Sequence, residues 1–159
     1  MALVARAIST ANSPKIERAG PIVASVYLDA CCFIFLVEGE PEWRTVVEQR
    51  LRNLDPLSKL ITSQLTRLEC RTKPMREGNR ALLERYEALF TADRVAVLDV
   101  SEHVIDRATD LRARYGFKTP DAIHLATAIE FSAAEFWTGD AVLTRCFDVV
   151  VTLLLPDAP

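Results

Sequence analysis

The feature that most constrains the fold is a regular alternation of two kinds of segment along the chain. Short apolar runs, mostly rich in β-branched residues, predict strands at residues 22–28, 60–62, 95–98, 135–138 and 149–155. Helical periodicity predicts helices over residues 30–37, 42–54, 76–90, 101–115 and 119–129, and one that begins at about residue 63. Parallel strands need long crossover connections, which are usually helices. The alternation therefore predicts an α/β fold, with a parallel sheet and helices on both of its faces.

Capping and turn residues mark the ends of two predicted helices. Ser101 is expected to cap the helix over residues 101–115, and Gly116 follows it where a left-handed residue often ends a helix. Thr119 is expected to cap the next helix, with Pro120 at its first helical position.

The predicted domain organisation is simple. Residues 1–21 contain Ser, Asn, Pro and Gly, and they predict a poorly ordered N-terminal extension. Residues 22–155 are expected to form a single domain, followed by a short tail at residues 156–159. A chain of 159 residues is long enough for one domain with a substantial core.

Composition excludes some classes of protein. The 19 basic and 22 acidic residues give a net charge of −3, which argues against a protein that coats nucleic acid through bulk positive charge. The longest apolar stretches, at residues 30–37 and 149–155, are well short of the roughly 20 residues of a membrane span. No secretory signal is recognised, so a cytoplasmic location is expected.

The cysteines show neither the regular spacing of a disulfide framework nor a C-x-x-C pair. A zinc site with thiolate ligands is a weaker alternative. We expect buried free thiols that pack as small apolar side chains. The four are Cys31, Cys32, Cys70 and Cys146.

Acidic residues lie at four junctions between predicted strands and helices. Asp29 directly follows the first strand, and Asp140 lies just after the fourth. Glu69 is early in the helix after the second strand, and Asp121 is in the first turn of a later helix. Carboxyl ends of parallel strands and N-terminal turns of the following helices meet along one edge of such a sheet. We therefore expect the four carboxylates to gather at that edge.

Gathering carboxylates is unfavourable without a cation. Two of them about 4 Å apart repel by roughly 4 kcal/mol at an effective dielectric constant of about 20. A set of oxygen ligands without His or Cys favours Mg²⁺ or Mn²⁺ over zinc. Such a site can bind a phosphodiester, lower the pKa of a bound water and stabilise the leaving oxygen, so it predicts phosphodiester hydrolysis. Each acid taken alone also has an ordinary interpretation as a helix cap, a turn residue or a solvated helix residue.

Four short motifs around these acids resemble those of a known family. They read VYLD at residues 26–29, TRLE at 66–69, TPDAIHLA at 119–126 and TGD at 138–140. In this order and spacing they resemble the motifs of PIN-domain ribonucleases, and in particular those of the VapC-type toxins of prokaryotic toxin–antitoxin pairs. The resemblance extends over residues 22–155, nearly the whole chain after the extension.

The resemblance implies a three-layer α/β/α sandwich around a central, mainly parallel sheet. It implies RNA cleavage with Mg²⁺ or Mn²⁺, a homodimer, and neutralisation by a small antitoxin protein. Thr138 matches a hydroxyl position that supports the metal site in the family. The metal ligands and catalytic residues would be Asp29, Glu69, Asp121 and Asp140.

One departure from the family keeps a second hypothesis open. The residue after Asp29 is Ala30, where the family usually has Thr or Ser. A PIN-like domain without activity, which binds a protein or RNA partner, is therefore the alternative. A phosphatase of the haloacid-dehalogenase type is disfavoured, because it needs a second Asp two residues after the first and this chain has Cys31 there.

Several other residues have two interpretations each. His124 lies on the same helix face as Asp121 and could act as a general base, although a packed core histidine is more common. Phe33, Phe35 and Trp43 could line a groove for an antitoxin helix or belong to the core. Basic residues near the acids could contact phosphate or simply be solvated: Arg67, Arg71, Lys73, Arg76, Arg112, Arg114 and Lys118.

Overall fold

A computed structural model of the chain describes residues 24–156. The predicted N-terminal extension over residues 1–21 lies outside the described residues, as do residues 157–159 of the predicted tail. The first two residues of the predicted first strand, 22 and 23, also lie outside them.

Strands and helices alternate along the described chain, as the sequence pattern predicts. The strands are β1 (Ser25–Leu28), β2 (Lys59–Ser63), β3 (Val95–Leu98), β4 (Glu135–Thr138) and β5 (Val151–Leu153). The α-helices are α1 (Ala30–Val37), α2 (Pro41–Asn53), α3 (Gln64–Arg76), α4 (Arg80–Phe90), α5 (Glu102–Tyr115) and α6 (Thr119–Glu130). A 3-10 helix at Ala141–Arg145 connects β4 to β5.

The strands form one sheet in the order β3–β2–β1–β4–β5, and every neighbouring pair is parallel. From the central β1, the chain first builds outward through β2 and β3, and then returns to the other side of β1 to form β4 and β5. The strand order therefore reverses between β1 and β4. Open α/β sheets bind ligands at the carboxyl edge beside such a reversal.

Two apolar clusters cover the two faces of the sheet. Val26 and Leu28 of β1 lie in one cluster with buried residues of α1, α2, α3 and α4. Tyr27 lies in the other cluster, with residues of α5, α6 and the 3-10 helix. Successive side chains of a strand point to opposite faces, so β1 contributes to both helical layers. The predicted three-layer α/β/α sandwich is confirmed.

The predicted helix over residues 76–90 is wrong at its start. Helix α3 extends to Arg76, and α4 begins only at Arg80. Between them, Gly78 has a φ of +63°, which L side chains rarely adopt. Asn79 then caps α4 by accepting a hydrogen bond from the Leu82 N–H at 3.0 Å. The apolar periodicity begins within α4 and does not mark the break before it.

The predicted cap at Thr119 is also wrong. Helix α6 begins at Thr119 with Lys118 as its N-cap residue, and no side chain caps this end. The other helix signals are confirmed: the Ser101 hydroxyl accepts a hydrogen bond from the Val104 N–H at 3.4 Å, and Gly116 ends α5 with a φ of +71°. The last strand is shorter than predicted, because its ladder covers residues 151–153 alone.

All four cysteines are free thiols, as predicted. Cys32, Cys70 and Cys146 are buried, whereas Cys31 is half-buried. Within residues 24–156, none of the helices combines the length and the apolar character needed to cross a membrane.

Candidate active site

The four predicted acidic residues lie along the carboxyl edge of the sheet, where the strand order reverses. Asp29 follows β1 and caps α1, and Asp140 follows β4 and caps the 3-10 helix. Glu69 is in the second turn of α3, the helix after β2. Asp121 is in the first turn of α6.

The Asp29 carboxylate is held through both of its oxygens. Oδ1 accepts a hydrogen bond from the backbone N–H of Ala30 at 2.7 Å, which is the bond that caps α1. Oδ2 accepts hydrogen bonds from the Thr138 hydroxyl at 2.7 Å and from the Cys31 thiol at 3.7 Å. Thr138 is thus in direct contact with Asp29.

The same hydroxyl connects Asp29 to Asp140. The backbone N–H of Asp140 donates to Oγ1 of Thr138 at 3.1 Å. The Asp140 side chain turns to the 3-10 helix, where Oδ1 accepts a hydrogen bond from the Val142 N–H at 2.8 Å. Two of the predicted ligands are therefore fixed by one threonine and by the helix ends that they cap.

Glu69 is held by a histidine rather than by a backbone group. Its Oε2 lies 2.9 Å from Nε2 of His124, and Asp29 Oδ1 lies 3.7 Å from the same nitrogen. The other ring nitrogen, Nδ1, lies 2.8 Å from the Tyr27 hydroxyl. His124 is 2% exposed, so the expectation of a packed histidine is confirmed. Its partner, however, is one of the predicted metal ligands.

The pKa of His124 reflects these neighbours. Burial lowers this pKa, but the hydrogen bond with Glu69 and the negative charges of Asp29, Glu69 and Asp121 outweigh burial. The net result is a pKa above the ordinary value for histidine. The pKa of His124 therefore depends on the charges of three of the four predicted ligands.

Asp121 is half-buried, and no residue of the described chain donates a hydrogen bond to its side chain. Burial raises the pKa of Asp121, and the negative charges of Asp29 and Asp140 raise it further. The positive charge of Lys118 and the neighbouring His124 act in the opposite direction. These carboxylates thus lie close enough to disfavour one another's ionisation.

The chemistry of this donor set fits a hard divalent cation. Within residues 24–156, no lysine or arginine forms an ion pair with any of the four acids. In this part of the chain, four carboxylate oxygens of the acids accept no hydrogen bond: Oε1 of Glu69, Oδ2 of Asp140 and both oxygens of Asp121. As the side chains are placed, no group of three or more His, Cys, Asp or Glu residues of the described chain is arranged to hold a metal ion. Metal binding by these oxygens therefore stays a proposal.

Most of the basic residues considered for a phosphate-binding rim have partners elsewhere. On α3, Arg67 and Arg71 both pair with Glu87, Lys73 pairs with Glu38, and Arg76 pairs with Glu77. On α5, Arg114 pairs with Asp110 and Asp148, and Arg112 donates a hydrogen bond to the Phe117 carbonyl. Lys118 differs from them, because it is exposed at the start of α6 and its charge acts on Asp121.

The aromatic residues near α1 divide into two groups. Phe33 is buried in the core. Phe35 and Trp43 are half-buried and stack with their ring centroids 4.5 Å apart, so a role for them in an antitoxin groove stays a prediction. The Phe35 ring also approaches Gly139, where a Cβ would lie 2.9 Å from the ring carbons. A side chain at the centre of the TGD turn would therefore require the Phe35 ring to shift.

Sequence reasoning missed two residues that contact the acids or their partners. Tyr27 contacts His124, and Cys31 contacts Asp29. Strand alternation could have indicated the first contact, because it places Tyr27 on the face that α6 covers and a buried tyrosine hydroxyl needs a polar partner. No sequence signal indicates the second contact, which depends on the direction in which α1 leaves β1.

Comparison with known proteins identifies the family. A family model described as the PIN domain matches residues 26–146. The chain belongs to the PIN-domain family. All four acids and Thr138 lie within the matched residues. No curated protein matches the sequence.

Solved structures of bacterial proteins share the PIN fold of this chain. VapBC2 from Rickettsia felis, bound to a DNA fragment from its promoter, is 13% identical with a TM-score of 0.65, over 82% of this chain and 98% of that one. A toxin–antitoxin complex from Klebsiella pneumoniae is 25% identical with a TM-score of 0.61, over 79% and 95%. VapC20 from Mycobacterium tuberculosis, a toxin that cleaves the sarcin–ricin loop, is 15% identical with a TM-score of 0.63, over 75% and 92%. The predicted resemblance to PIN-domain proteins is confirmed, and the VapC structures share the fold of this chain.

Proposed function

We propose that this PIN-domain protein is a metal-dependent endoribonuclease that hydrolyses RNA phosphodiester bonds. The observation that carries the proposal is the position of the four acids at one sheet edge, in the order of the PIN motifs, without a lysine or arginine paired to any of them within residues 24–156. Carboxylates gathered in this way need a cation, and oxygen ligands favour Mg²⁺ or Mn²⁺. The proposed ligands are Asp29, Glu69, Asp121 and Asp140.

The chain's own residues would prepare this site in three ways. Thr138 orients Asp29 and, through its backbone contact, the turn that carries Asp140. His124 holds one oxygen of Glu69 and leaves the other available as a ligand. When bound, the metal ion would supply a water of lowered pKa and stabilise the leaving oxygen. Lys118, exposed beside Asp121, would contact a phosphate of the substrate.

The first test is removal of single ligand charges. We expect Asp29→Asn and Asp121→Asn each to abolish cleavage of RNA in Mg²⁺ or Mn²⁺, because a neutral amide does not replace an anionic ligand. Cleavage is measured on labelled RNA, and circular dichroism checks that each variant is folded. Asp93→Asn is the matched control, since Asp93 is exposed in the turn before β3, and it should cleave like the parent chain. Undiminished cleavage by both site variants would contradict the proposal.

The proposed biological role is that of a toxin in a toxin–antitoxin pair, acting as a homodimer that a small antitoxin protein neutralises. Membership of the PIN family and the fold shared with a solved toxin–antitoxin complex support this role. A small open reading frame for a DNA-binding protein immediately upstream of the gene is the observation expected. A gene without such a neighbour would argue against the toxin role but not against the nuclease.

The second candidate function is a binding module without activity. Ala30 favours it, because the family usually has a hydroxyl residue there. Against it, the Thr138 hydroxyl and the Cys31 thiol both donate to Oδ2 of Asp29, so this carboxylate has side-chain donors without a hydroxyl at residue 30. Calorimetric titration with Mn²⁺ separates the two functions, because an intact set of four ligands should bind the ion and a degenerate set should not.

A further inference from the structure

We propose that Tyr27 and His124 form a buried relay of hydrogen bonds that positions the Glu69 carboxylate as a metal ligand. The inference rests on the proposed function and deepens it. It assigns a task to two residues that belong neither to the four acids nor to Thr138. In this scheme Tyr27 and His124 act through Glu69, so they are positioning residues.

The direction of each hydrogen bond follows from its partners. A carboxylate oxygen only accepts, so Nε2 of His124 carries the proton that it donates to Glu69 Oε2 over 2.9 Å. When the ring is neutral, its Nδ1 accepts a hydrogen bond from the Tyr27 hydroxyl over 2.8 Å; when it is protonated, Nδ1 donates to that hydroxyl and Nε2 still donates to Glu69. The ring is therefore held at both nitrogens, and its proton faces the site. Metal-binding sites commonly use such outer contacts to orient their ligands.

The position of Tyr27, the first residue of this relay, is fixed by its packing in the sheet. It is 0% exposed in the central strand β1, and its ring stacks on Phe136 of the adjacent β4 with centroids 5.2 Å apart. The His124 ring meets it edge-on, with centroids 6.0 Å apart. A buried tyrosine hydroxyl needs a polar partner, and Nδ1 of His124 lies within hydrogen-bond distance of it. The orientation of His124 is thus set by the sheet.

Glu69 needs such a contact more than Asp29 and Asp140 do. Asp29 and Asp140 have short side chains that bond to backbone N–H groups next to them in the chain. Glu69 has a longer side chain that is 30% exposed on α3, and His124 is its hydrogen-bond partner within the described chain. Without that donor, its rotamers would include many that point to solvent, and ordering them on metal binding would cost conformational entropy. The contact to Oε2 leaves Oε1 free to face the ion.

Two substitutions of His124 separate positioning from packing. In His124→Gln the side-chain amide nitrogen reaches roughly the place of Nε2, so the donor to Glu69 is kept. In His124→Asn the shorter amide reaches only as far as Nδ1, so the contact with Tyr27 is kept and the donor to Glu69 is lost. His103→Asn, on the exposed surface of α5, controls for loss of a histidine as such.

The readout is Mn²⁺ affinity of the full chain by titration calorimetry, with thermal unfolding to check that each variant is folded. We expect His124→Asn to weaken Mn²⁺ binding about 10-fold or more, as loss of an outer contact to a ligand typically does. His124→Gln should remain within a few-fold of the parent chain, and Tyr27→Phe should fall between the two. Equal losses in the Asn and Gln variants would indicate packing alone and overturn the inference. So would unchanged affinity in both.

The outcomes for the parent chain separate this inference from the proposed function. A parent that binds Mn²⁺ but cleaves no RNA contradicts the nuclease and leaves the relay standing. A parent that binds and cleaves, with His124→Asn binding equally well, overturns the relay alone. A parent that binds no Mn²⁺ overturns both.

A measurement on the unsubstituted chain covers the case in which a variant does not fold. Imidazole ¹⁵N shifts at mildly alkaline pH report which ring nitrogen carries the proton. We expect a proton on Nε2 and none on Nδ1 of His124. A neutral ring with its proton on Nδ1 and none on Nε2 would overturn the relay.

Discussion

At the scale of single residues, the Thr138 hydroxyl joins two parts of the site that come from opposite ends of the chain. It donates to Oδ2 of Asp29 at 2.7 Å and accepts from the backbone N–H of Asp140 at 3.1 Å. Thr138 is 0% exposed, so water cannot replace either bond. The Cys31 thiol donates to the same Asp29 oxygen over 3.7 Å, but a thiol is a weak donor. The alignment of Oδ2 of Asp29 therefore depends mainly on one hydroxyl.

Removing that hydroxyl should affect both the site and the fold. In Thr138→Val, the Asp140 N–H loses its acceptor and Asp29 loses its strongest side-chain donor. We expect the free energy of unfolding to fall by about 1–3 kcal/mol and Mn²⁺ affinity to fall about 10-fold. Urea unfolding and titration calorimetry measure the two effects. Thr138→Ser keeps the hydroxyl and should retain most of the affinity. If the Thr138→Val and Thr138→Ser variants bind Mn²⁺ with equal affinity, the hydroxyl does not contribute to metal binding.

At the scale of secondary-structure elements, the connection between α3 and α4 shows how local chemistry ends one helix and begins the next. The backbone of Gly78 takes a φ of +63°, and Asn79 then caps α4. The capping oxygen accepts from the Leu82 N–H, one of the groups that a helix end leaves without an intrahelical partner. These two residues set the place where α4 turns back on α3.

Substitution of Asn79 tests this arrangement. We expect Asn79→Ala to lower the free energy of unfolding by about 1 kcal/mol, because the N-terminal turn of α4 loses its side-chain acceptor. Asn79→Asp retains a capping oxygen and should be nearly neutral. Both are measured by urea unfolding, with equal slopes against denaturant as the sign of an unchanged unfolded state. An Ala variant as stable as the parent would mean that tertiary packing alone places α4.

Sequence information predicted the elements better than their junctions. The strands at residues 95–98 and 135–138 and the helix at residues 30–37 have the predicted bounds, because each is an apolar run between clear turn or capping residues. The break at Gly78 and the helix start at Thr119 were mispredicted, because periodicity does not report backbone dihedrals and a threonine can occupy either the cap or the first turn. The end of the last strand depends on pairing with β4.

In the candidate site, features set by nearby sequence could be predicted, whereas contacts between residues far apart in the chain could not. Junctions between strands and helices placed Asp29, Glu69 and Asp140 at one edge, since parallel topology brings those junctions together, whereas Asp121 follows a junction between two helices. The contact of His124 with Glu69 could not be predicted, because it joins residues 55 positions apart through the packing of α6 beside α3. Pairing of Arg67 and Arg71 with Glu87 was missed for the same reason, because it depends on α4 packing against α3.

At the scale of the whole molecule, charged and polar contacts connect the helices α1, α3 and α4, which also share one apolar cluster. Glu38 at the end of α1 accepts hydrogen bonds from Lys73 of α3 and from the Tyr86 hydroxyl of α4, the latter at 2.5 Å. The α4 residue Arg85 also donates to the Val37 carbonyl beside it. Asp29 caps α1 and Glu69 lies on α3, so contacts among these helices affect the position of both acids as well as the stability of the fold.

These contacts predict how stability depends on pH. Burial alone would raise the pKa of Glu38, but the hydrogen bonds from Lys73 and Tyr86 and the charges of Lys73 and Arg85 outweigh burial. The pKa of Glu38 in the folded chain therefore lies below its ordinary value of 4.5. A group whose pKa is lower in the folded than in the unfolded chain stabilises the fold at pH values above the unfolded pKa. That contribution is lost as the pH falls through the folded-state pKa.

The substitution Glu38→Gln isolates this contribution. At neutral pH we expect the variant to be less stable than the parent chain, because a neutral amide binds Lys73 more weakly than a carboxylate does. The difference in unfolding free energy should shrink as the pH is lowered below 4.5 and should disappear below the folded-state pKa, where the parent also carries an uncharged group at this position. Urea unfolding at a series of pH values measures it. Glu84→Gln on the exposed face of α4 is the control and should show no such trend. A difference that stays constant with pH would mean that Glu38 stabilises the fold through its shape and not through its charge.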